Sequence, residues 1–138
     1  MRVTEVRVKL NLQSQDRLRG FCSITIDGCF VVRDIKIIEG PGGLFVAMPS
    51  RKLMTHCARC RGKNHLRSRF CNDCGGKLEE GRHAGEEQGR EKLHCDVAHP
   101  INGECRTMVQ GAIKEAYAAE VEKSKLPGYV VRDLEEGE

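Results

Sequence analysis

The residues best equipped for chemistry are cysteines. Among eight in a chain of 138 residues, four stand as Cys57-x2-Cys60 and Cys71-x2-Cys74, with ten residues between the pairs. Each CxxC turn lets two sulfurs converge on one ion, and the intervening loop is long enough to set the second pair opposite the first. The expected product is a tetrahedral four-thiolate site, a donor set that suits Zn2+, with iron as the alternative ion. Gly62 and Gly75, one after each pair, are read as positive-φ positions that turn backbone amides toward sulfur. Four thiolates close the shell and leave no position for water or substrate, so the expected zinc is structural. Its binding energy then becomes folding energy for a segment with little core of its own. Two free dithiols, or a redox pair, are the competing reading; a redox CxxC opens a helix in a thioredoxin-like βαβ unit, a pattern missing here. His56 and His65 are rival ligands that four thiolates make unnecessary.

The Cys57-Ala-Arg-Cys60 and Cys71-Asn-Asp-Cys74-Gly75 turns resemble zinc-ribbon knuckles. The remaining cysteines read as small apolar packing residues. Cys22 occupies a core-facing strand position, Cys105 lies one turn before Val109 on a helix face, and Cys29 and Cys95 have no clear pattern. His99 is the one tempting catalytic side chain, and a turn ahead of a helix gives it a backbone partner instead. Gly40-Pro41-Gly42-Gly43 is a turn with no lysine or helix start behind it, hence no phosphate loop. No nucleophile–base pair is visible, so the chain reads as a non-enzyme without a small-molecule substrate.

The elements that must carry the cluster are legible from periodicity. Thr4, Val6, Val8 and Leu10 alternate with Glu5, Arg7 and Lys9, a half-buried strand. A second strand spans Leu18 to Ile26 with Cys22, Ile24 and Ile26 on one face. Asp27-Gly28 signals a tight hairpin. Strand three, Cys29 to Ile38, changes phase between Phe30/Val32 and Ile35/Ile37, which calls for a bulge or for burial of both faces. Leu44 to Met48 is a short strand ended by Pro49, and Lys92 to Val97 a final one. Val109, Ala112, Ile113, Ala116 and Tyr117 define one helix face, with Asn102 as cap and Pro127-Gly128 beyond the end. Glu79 to Gly89 reads as a flexible linker. The expected fold is α+β: an antiparallel β-sheet with a C-terminal α-helix, plus a small zinc-ribbon-like insertion between two strands.

Three further stretches are distinctive. They are Phe30-Val-Val-Arg-Asp-Ile-Lys-Ile-Ile-Glu-Gly40, Gly43-Leu-Phe-Val-Ala-Met-Pro-Ser-Arg-Lys52, and Asp96-Val-Ala-His-Pro-Ile-Asn102 followed by Arg106. In this order they resemble the SpoVG family, the stage V sporulation protein G septation regulators, over about residues 1–52 and 91–119. The resemblance implies an antiparallel sheet with a C-terminal helix, a homodimer, and a DNA- and RNA-binding regulator tied to septation, sporulation or gene expression. It carries the basic positions after Met-Pro-Ser onto Arg51 and Lys52, and the arginine opening the helix onto Arg106. The chain departs from the family in one place, where the usually short loop between the Met-Pro-Ser and Ala-His-Pro-Ile-Asn stretches is expanded: residues 1–52 and 89–124 are expected to form the SpoVG-like domain, 53–88 an inserted zinc module with an acidic Gly/Glu-rich linker, and 125–138 an acidic tail. Loop closure entropy grows by only about 0.6 kcal/mol per doubling, so such an insertion can leave the fold intact.

Net charge is +3, but its distribution is uneven. From Arg51 to Lys77 there are eight Lys or Arg and one acid, Asp73. From Leu78 to Glu91 the balance reverses to five Glu against two Arg. Arg59, Arg61, Lys63, Arg67 and Arg69 decorate the cysteine loop beside Arg51 and Lys52. Held at fixed spacing, these cations would neutralise phosphates and release counterions. Only Phe70 is aromatic nearby, so backbone contacts are expected more than base stacking. The alternative is a protein-interaction or scaffold module whose basic loop engages an acidic partner. Without a leader pattern or a membrane-length apolar run, the expected location is the cytoplasm, with no membrane partner.

Overall fold

The computed structural model describes residues 1–13, 15–79, 86–87, 90–91 and 93–134. The expected linker, Glu79 to Gly89, and the acidic end of the tail lie largely outside them. The chain divides into two compact units, Met1–Pro49 with Ala98–Glu138, and Ser50–Val97.

The first unit is a four-stranded antiparallel sheet in the order β1 (Val3–Leu10), β2 (Leu18–Ile26), β3 (Phe30–Gly40), β4 (Gly43–Ala47). Helix α1 (Gly103–Ser124) packs on one face, against β1 and β4. Val8, Leu10, Cys22, Ile24, Ile35 and Ile37 meet Val109 and Ile113 in the core. Each fully buried aliphatic side chain there contributes about 1.5–3 kcal/mol. The expected α+β fold is what the molecule has.

The irregularities explain the phase changes in the sequence. Asp27 and Gly28 both have positive φ, 51° and 68°, and Cys29 N–H donates to Ile26 C=O at 3.1 Å. That is the left-handed pair a two-residue hairpin needs. In β3 three residues advance from Val32 to Ile35 while β2 advances two, from Ile24 to Cys22. The extra residue forms a bulge at Arg33–Asp34, with Asp34 at φ 60°. It shifts the phase so that Val32, Ile35 and Ile37 all reach the helix side. The sequence had left bulge and two-sided burial open; the bulge is correct.

A second bulge, between Val3 and Glu5, corrects one assignment. Thr4 is exposed and Val3 packs on the core instead. The Thr4 hydroxyl is spent on the hairpin, accepting from Gly28 N–H at 2.9 Å and donating to Thr25 C=O at 3.2 Å. A third irregularity lies between Leu18 and Gly20 on β2. A Cβ at Gly20 would stand 2.7 Å from the Lys9 carbonyl oxygen. Because that atom is backbone, Gly20→Ala is expected to cost about 1–3 kcal/mol, read as a lower denaturation midpoint with unchanged slope.

The helix starts as expected. Asn102 Oδ1 accepts from Cys105 N–H at 2.8 Å, and Glu104 lies in the positive first turn. His99 Nδ1 lies 3.1 Å from the Pro100 carbonyl oxygen, the backbone role anticipated for it. After the helix, the Tyr129 hydroxyl donates to the buried Glu120 carboxylate at 2.8 Å and draws the chain back against the core.

The second unit is built from three short ribbons. β5 (Ser50–Lys52) pairs with β10 (His94–Asp96), β6 (Met54–His56) with β7 (Lys63–His65), and β8 (Glu86–Glu87) with β9 (Arg90–Glu91). The expected final strand therefore exists, trimmed to His94–Asp96, and pairs with β5 outside the four-stranded sheet. Among the described residues, the apolar core of the second unit is Cys57, Cys71 and Leu78, and Leu66 is buried as well. Two of those residues are candidate ligands.

Candidate metal centre and basic loop

The two CxxC turns are the same structure repeated fourteen positions apart in this numbering. Cys57 N–H donates to Gly62 C=O at 2.8 Å, and Cys71 N–H to Gly76 C=O at 2.8 Å. Arg61 N–H donates to Cys57 C=O at 2.9 Å, and Gly75 N–H to Cys71 C=O at 3.0 Å. Gly62 N–H points at Cys60 Sγ and Gly76 N–H at Cys74 Sγ, both at 3.4 Å. Backbone amides thus present positive charge to sulfur in each turn, which favours the thiolate form.

The glycine reading needs one correction. Gly75 does take positive φ, 73°, but in the first turn Arg61 does so, at 62°, and not Gly62. Gly62 is small for another reason: a Cβ there would collide with the Asp73 carboxylate. A left-handed arginine costs about 1–2 kcal/mol, so Arg61→Gly is expected to stabilise this turn while removing one surface cation, measurable as a higher melting temperature of the metal-loaded protein.

The four sulfurs converge. Cys57 Sγ lies 3.8 Å from Cys74 Sγ, Cys60 Sγ lies 3.5 Å from Cys71 Sγ, and all four ligand atoms fall within 4.8 Å of one another. A regular tetrahedron with metal–sulfur bonds of about 2.3 Å has sulfurs about 3.8 Å apart. The spacing matches that solid, and it is far longer than the about 2.05 Å of a disulfide. The donor set therefore fits a thiophilic divalent ion. His56 and His65 are outside the cluster, and His65 Nδ1 accepts from Arg67 N–H at 3.2 Å instead.

The cluster is electrically primed for such an ion. The Cys74 amide and the Asn64 side chain hold the Cys71 thiol down at about 6. The Cys60 and Arg59 amides lower Cys57. At Cys60 the Gly62 amide also acts downward, but the sulfurs of Cys71, Cys74 and Cys57 together with desolvation outweigh it and push the thiol up to about 12. Neighbouring sulfurs cannot all ionise unless a cation sits among them. Cys22, by contrast, is pushed up to about 12 by burial in the sheet core, which makes it the inert packing residue expected.

One residue essential to the geometry was not anticipated. Asn64 on β7 is fully buried. Its Nδ2 donates to Cys71 Sγ at 3.3 Å and to Gly62 C=O at 3.1 Å, while Oδ1 accepts from Asn72 N–H at 2.8 Å. It ties the first turn to the second and fixes one ligand. Nothing in the spacing of a lone asparagine signals this. Partners behind a metal ligand typically carry tenfold to hundredfold in affinity. Asn64→Ala is expected to weaken metal binding by about that factor in competition with a chromophoric chelator.

Around this centre Arg59, Arg61, Lys63, Arg67 and Arg69 are all exposed, as are Arg51 and Lys52 on β5. These seven belong to the second unit, whereas Arg106 lies exposed in the first turn of α1, in the first unit. Lys77, counted in the charge run but not among the candidate contacts, joins His56 and Arg59 in lining a surface cleft of about 310 Å3. Phe70 is 61% exposed.

The family profile described as SpoVG matches residues 1–119. The chain belongs to the SpoVG family. Among similar relatives named septation protein SpoVG, that of Caldicellulosiruptor saccharolyticus is 39% identical over 119 residues, covering 86% of this chain and 93% of the relative. That of Bdellovibrio bacteriovorus is 38% identical over 122 residues, covering 88% and 77%. That of Clostridium beijerinckii is 35% identical over 128 residues, covering 93% and 100%. The SpoVG resemblance read from the sequence blocks is thereby established. The relatives' names attach septation to the SpoVG family and mention no catalysed reaction. In this SpoVG chain, among the described residues, no helix is long and apolar enough to cross a membrane.

Proposed function

We propose that this SpoVG-family chain is a nucleic-acid-binding regulator associated with septation or sporulation, carrying one structural zinc at Cys57, Cys60, Cys71 and Cys74. The observation that carries the reading is the placement of exposed cations on the first sulfur turn and along the loop that joins it to the second. Arg59 and Arg61 stand within and just after the first CxxC, Lys63 follows on β7, and Arg67 and Arg69 precede the second CxxC. An ion at the sulfurs would fix the backbone from which these side chains project. Ordered cations at fixed spacing recognise a phosphate backbone more than base edges.

In this reading the zinc takes no part in chemistry; four thiolates fill its coordination and it serves as the core of the unit. Arg51 and Lys52 on β5 and Arg106 on α1 extend the basic surface by family resemblance. The protein acts as a cytoplasmic homodimer. That part rests on the family resemblance, with β1 and β4 each having one neighbour in the four-stranded sheet and hence an edge to offer.

The test is a gel shift with duplex DNA and single-stranded RNA, run on the zinc-loaded protein and after chelation with re-addition of zinc. Binding lost with the metal and restored by it is the expected result. Binding indifferent to chelation would remove the pinned loop from the interface. A partner captured in nuclease-treated extract, with no gel shift on either nucleic acid, would instead favour an acidic protein partner.

A further inference from the structure

The sheet has a second face, turned away from α1, that the reading above does not use. Alternation places Lys9, Phe21 and Lys36 on it, and the strand register lines them up: Lys9 is opposite Phe21, and Phe21 is opposite Lys36. An aromatic ring thus sits between two cations in one row across three strands. In the next row the bulge at Arg33–Asp34 lies opposite Ser23, which is 3% exposed. Asp34 holds its left-handed φ here without being glycine. Bulges and strained residues of this kind re-aim side chains next to sites.

These groups enclose a cleft of about 440 Å3 lined by Lys9, Phe21, Ser23, Arg33, Asp34, Asp133 and Leu134. The volume lies within the range of small-ligand sites, roughly 300–1,000 Å3. Asp133 and Leu134 come from the segment beyond the helix. That segment is anchored on the way by the Tyr129–Glu120 hydrogen bond and by Arg132, 3.9 Å from Glu5 on β1.

We propose that this cleft is a ligand site for one nucleotide unit. The base would lie on the Phe21 ring, the phosphate would meet Lys9 and Arg33, and the Asp34 and Asp133 carboxylates would accept hydrogen bonds from amino or ribose hydroxyl groups. A ring flanked by cations on an open sheet is the chemistry by which single-stranded nucleic acid is held, by stacking and phosphate contact together. Two carboxylates on the rim disfavour a bare inorganic anion. The unit can come from a free mononucleotide or from one residue of a single strand. This inference does not depend on the zinc loop.

The test uses the full zinc-loaded chain, isotope-labelled, titrated separately with adenosine 5′-monophosphate, a short single-stranded oligoadenylate and inorganic phosphate, and followed by amide resonances. Shifts at Lys9, Phe21, Ser23 and Asp34 with the mononucleotide assign a free nucleotide. Shifts at these residues with the oligomer only assign a strand. Phe21→Leu, which keeps an apolar side chain, is expected to weaken either by about tenfold or more, while Arg59→Glu with Arg67→Glu leaves the mononucleotide response unchanged. Equal shifts with phosphate alone, or no shifts at these residues with either nucleotide ligand, overturn the proposal whatever happens at the zinc loop.

Discussion

Chelating the metal under reducing conditions is expected to unfold the Ser50–Val97 unit while the sheet-and-helix unit stays folded. The two units are stabilised by different means. In the first, six strand residues and two helix residues form a closed apolar core. In the second, among the described residues, Leu66 and Leu78 are the buried side chains of ordinary apolar type, alongside the candidate ligands Cys57 and Cys71. Two buried leucines contribute about 3–6 kcal/mol, too little to offset the conformational entropy of ordering such a segment. Strands of three residues and less add little. A four-thiolate zinc would contribute more than both leucines together, about 10–16 kcal/mol. Far-UV helical signal should persist after chelation, since α1 is the one helix among the described residues. Four further thiols should become reactive, and amide signals of the second unit should collapse to random-coil positions and return with zinc. Cys71→Ser should do the same without chelator, and acidification should weaken zinc because the ligands must shed their protons.

The second large effect concerns the basic loop. Reversing charge at Arg59, Arg61 and Arg67 together is expected to abolish most nucleic-acid binding and to flatten its salt dependence. Each phosphate contact contributes a slope of roughly −0.9 in log affinity against log salt. Five loop cations would give a slope of roughly −4 to −5 on duplex DNA, and losing three would reduce it by about 3. Such a change corresponds to a loss of about a hundredfold or more at moderate salt. The three positions are exposed and none is a ligand, so zinc content should be retained in the variant. An unchanged slope would show that these cations do not touch phosphate.

The parts of the molecule that the sequence revealed are those with long periodicity or fixed spacing. The helix face from Val109 to Tyr117, its Asn102 cap, the Asp27-Gly28 turn and the first three strands are governed by local patterns, and they hold. The CxxC pairs were legible because ligand spacing is dictated by the ion. What was hidden depends on contacts across the chain. The bulge at Thr4 exchanges Thr4 for Val3 on the core face, because the Thr4 hydroxyl closes the hairpin. The left-handed residue of the first turn is Arg61, because the backbone repeat outranks the preference for glycine, while Gly62 yields space to Asp73. Strands β6 and β7 are three residues each, too short for alternation to register. Asn64 carries no pattern at all, yet it bonds both sulfur turns. The final strand, read as Lys92 to Val97, has as its partner β5, three residues that no periodicity marks as a strand.

The most direct measurement is sulfur-shell analysis of the purified protein by metal quantification and X-ray absorption. One zinc per chain, bound by four sulfurs at about 2.3 Å, is the expected result. Protein isolated under reducing conditions with no stoichiometric metal, or an ion surrounded by nitrogen and oxygen donors, would contradict it.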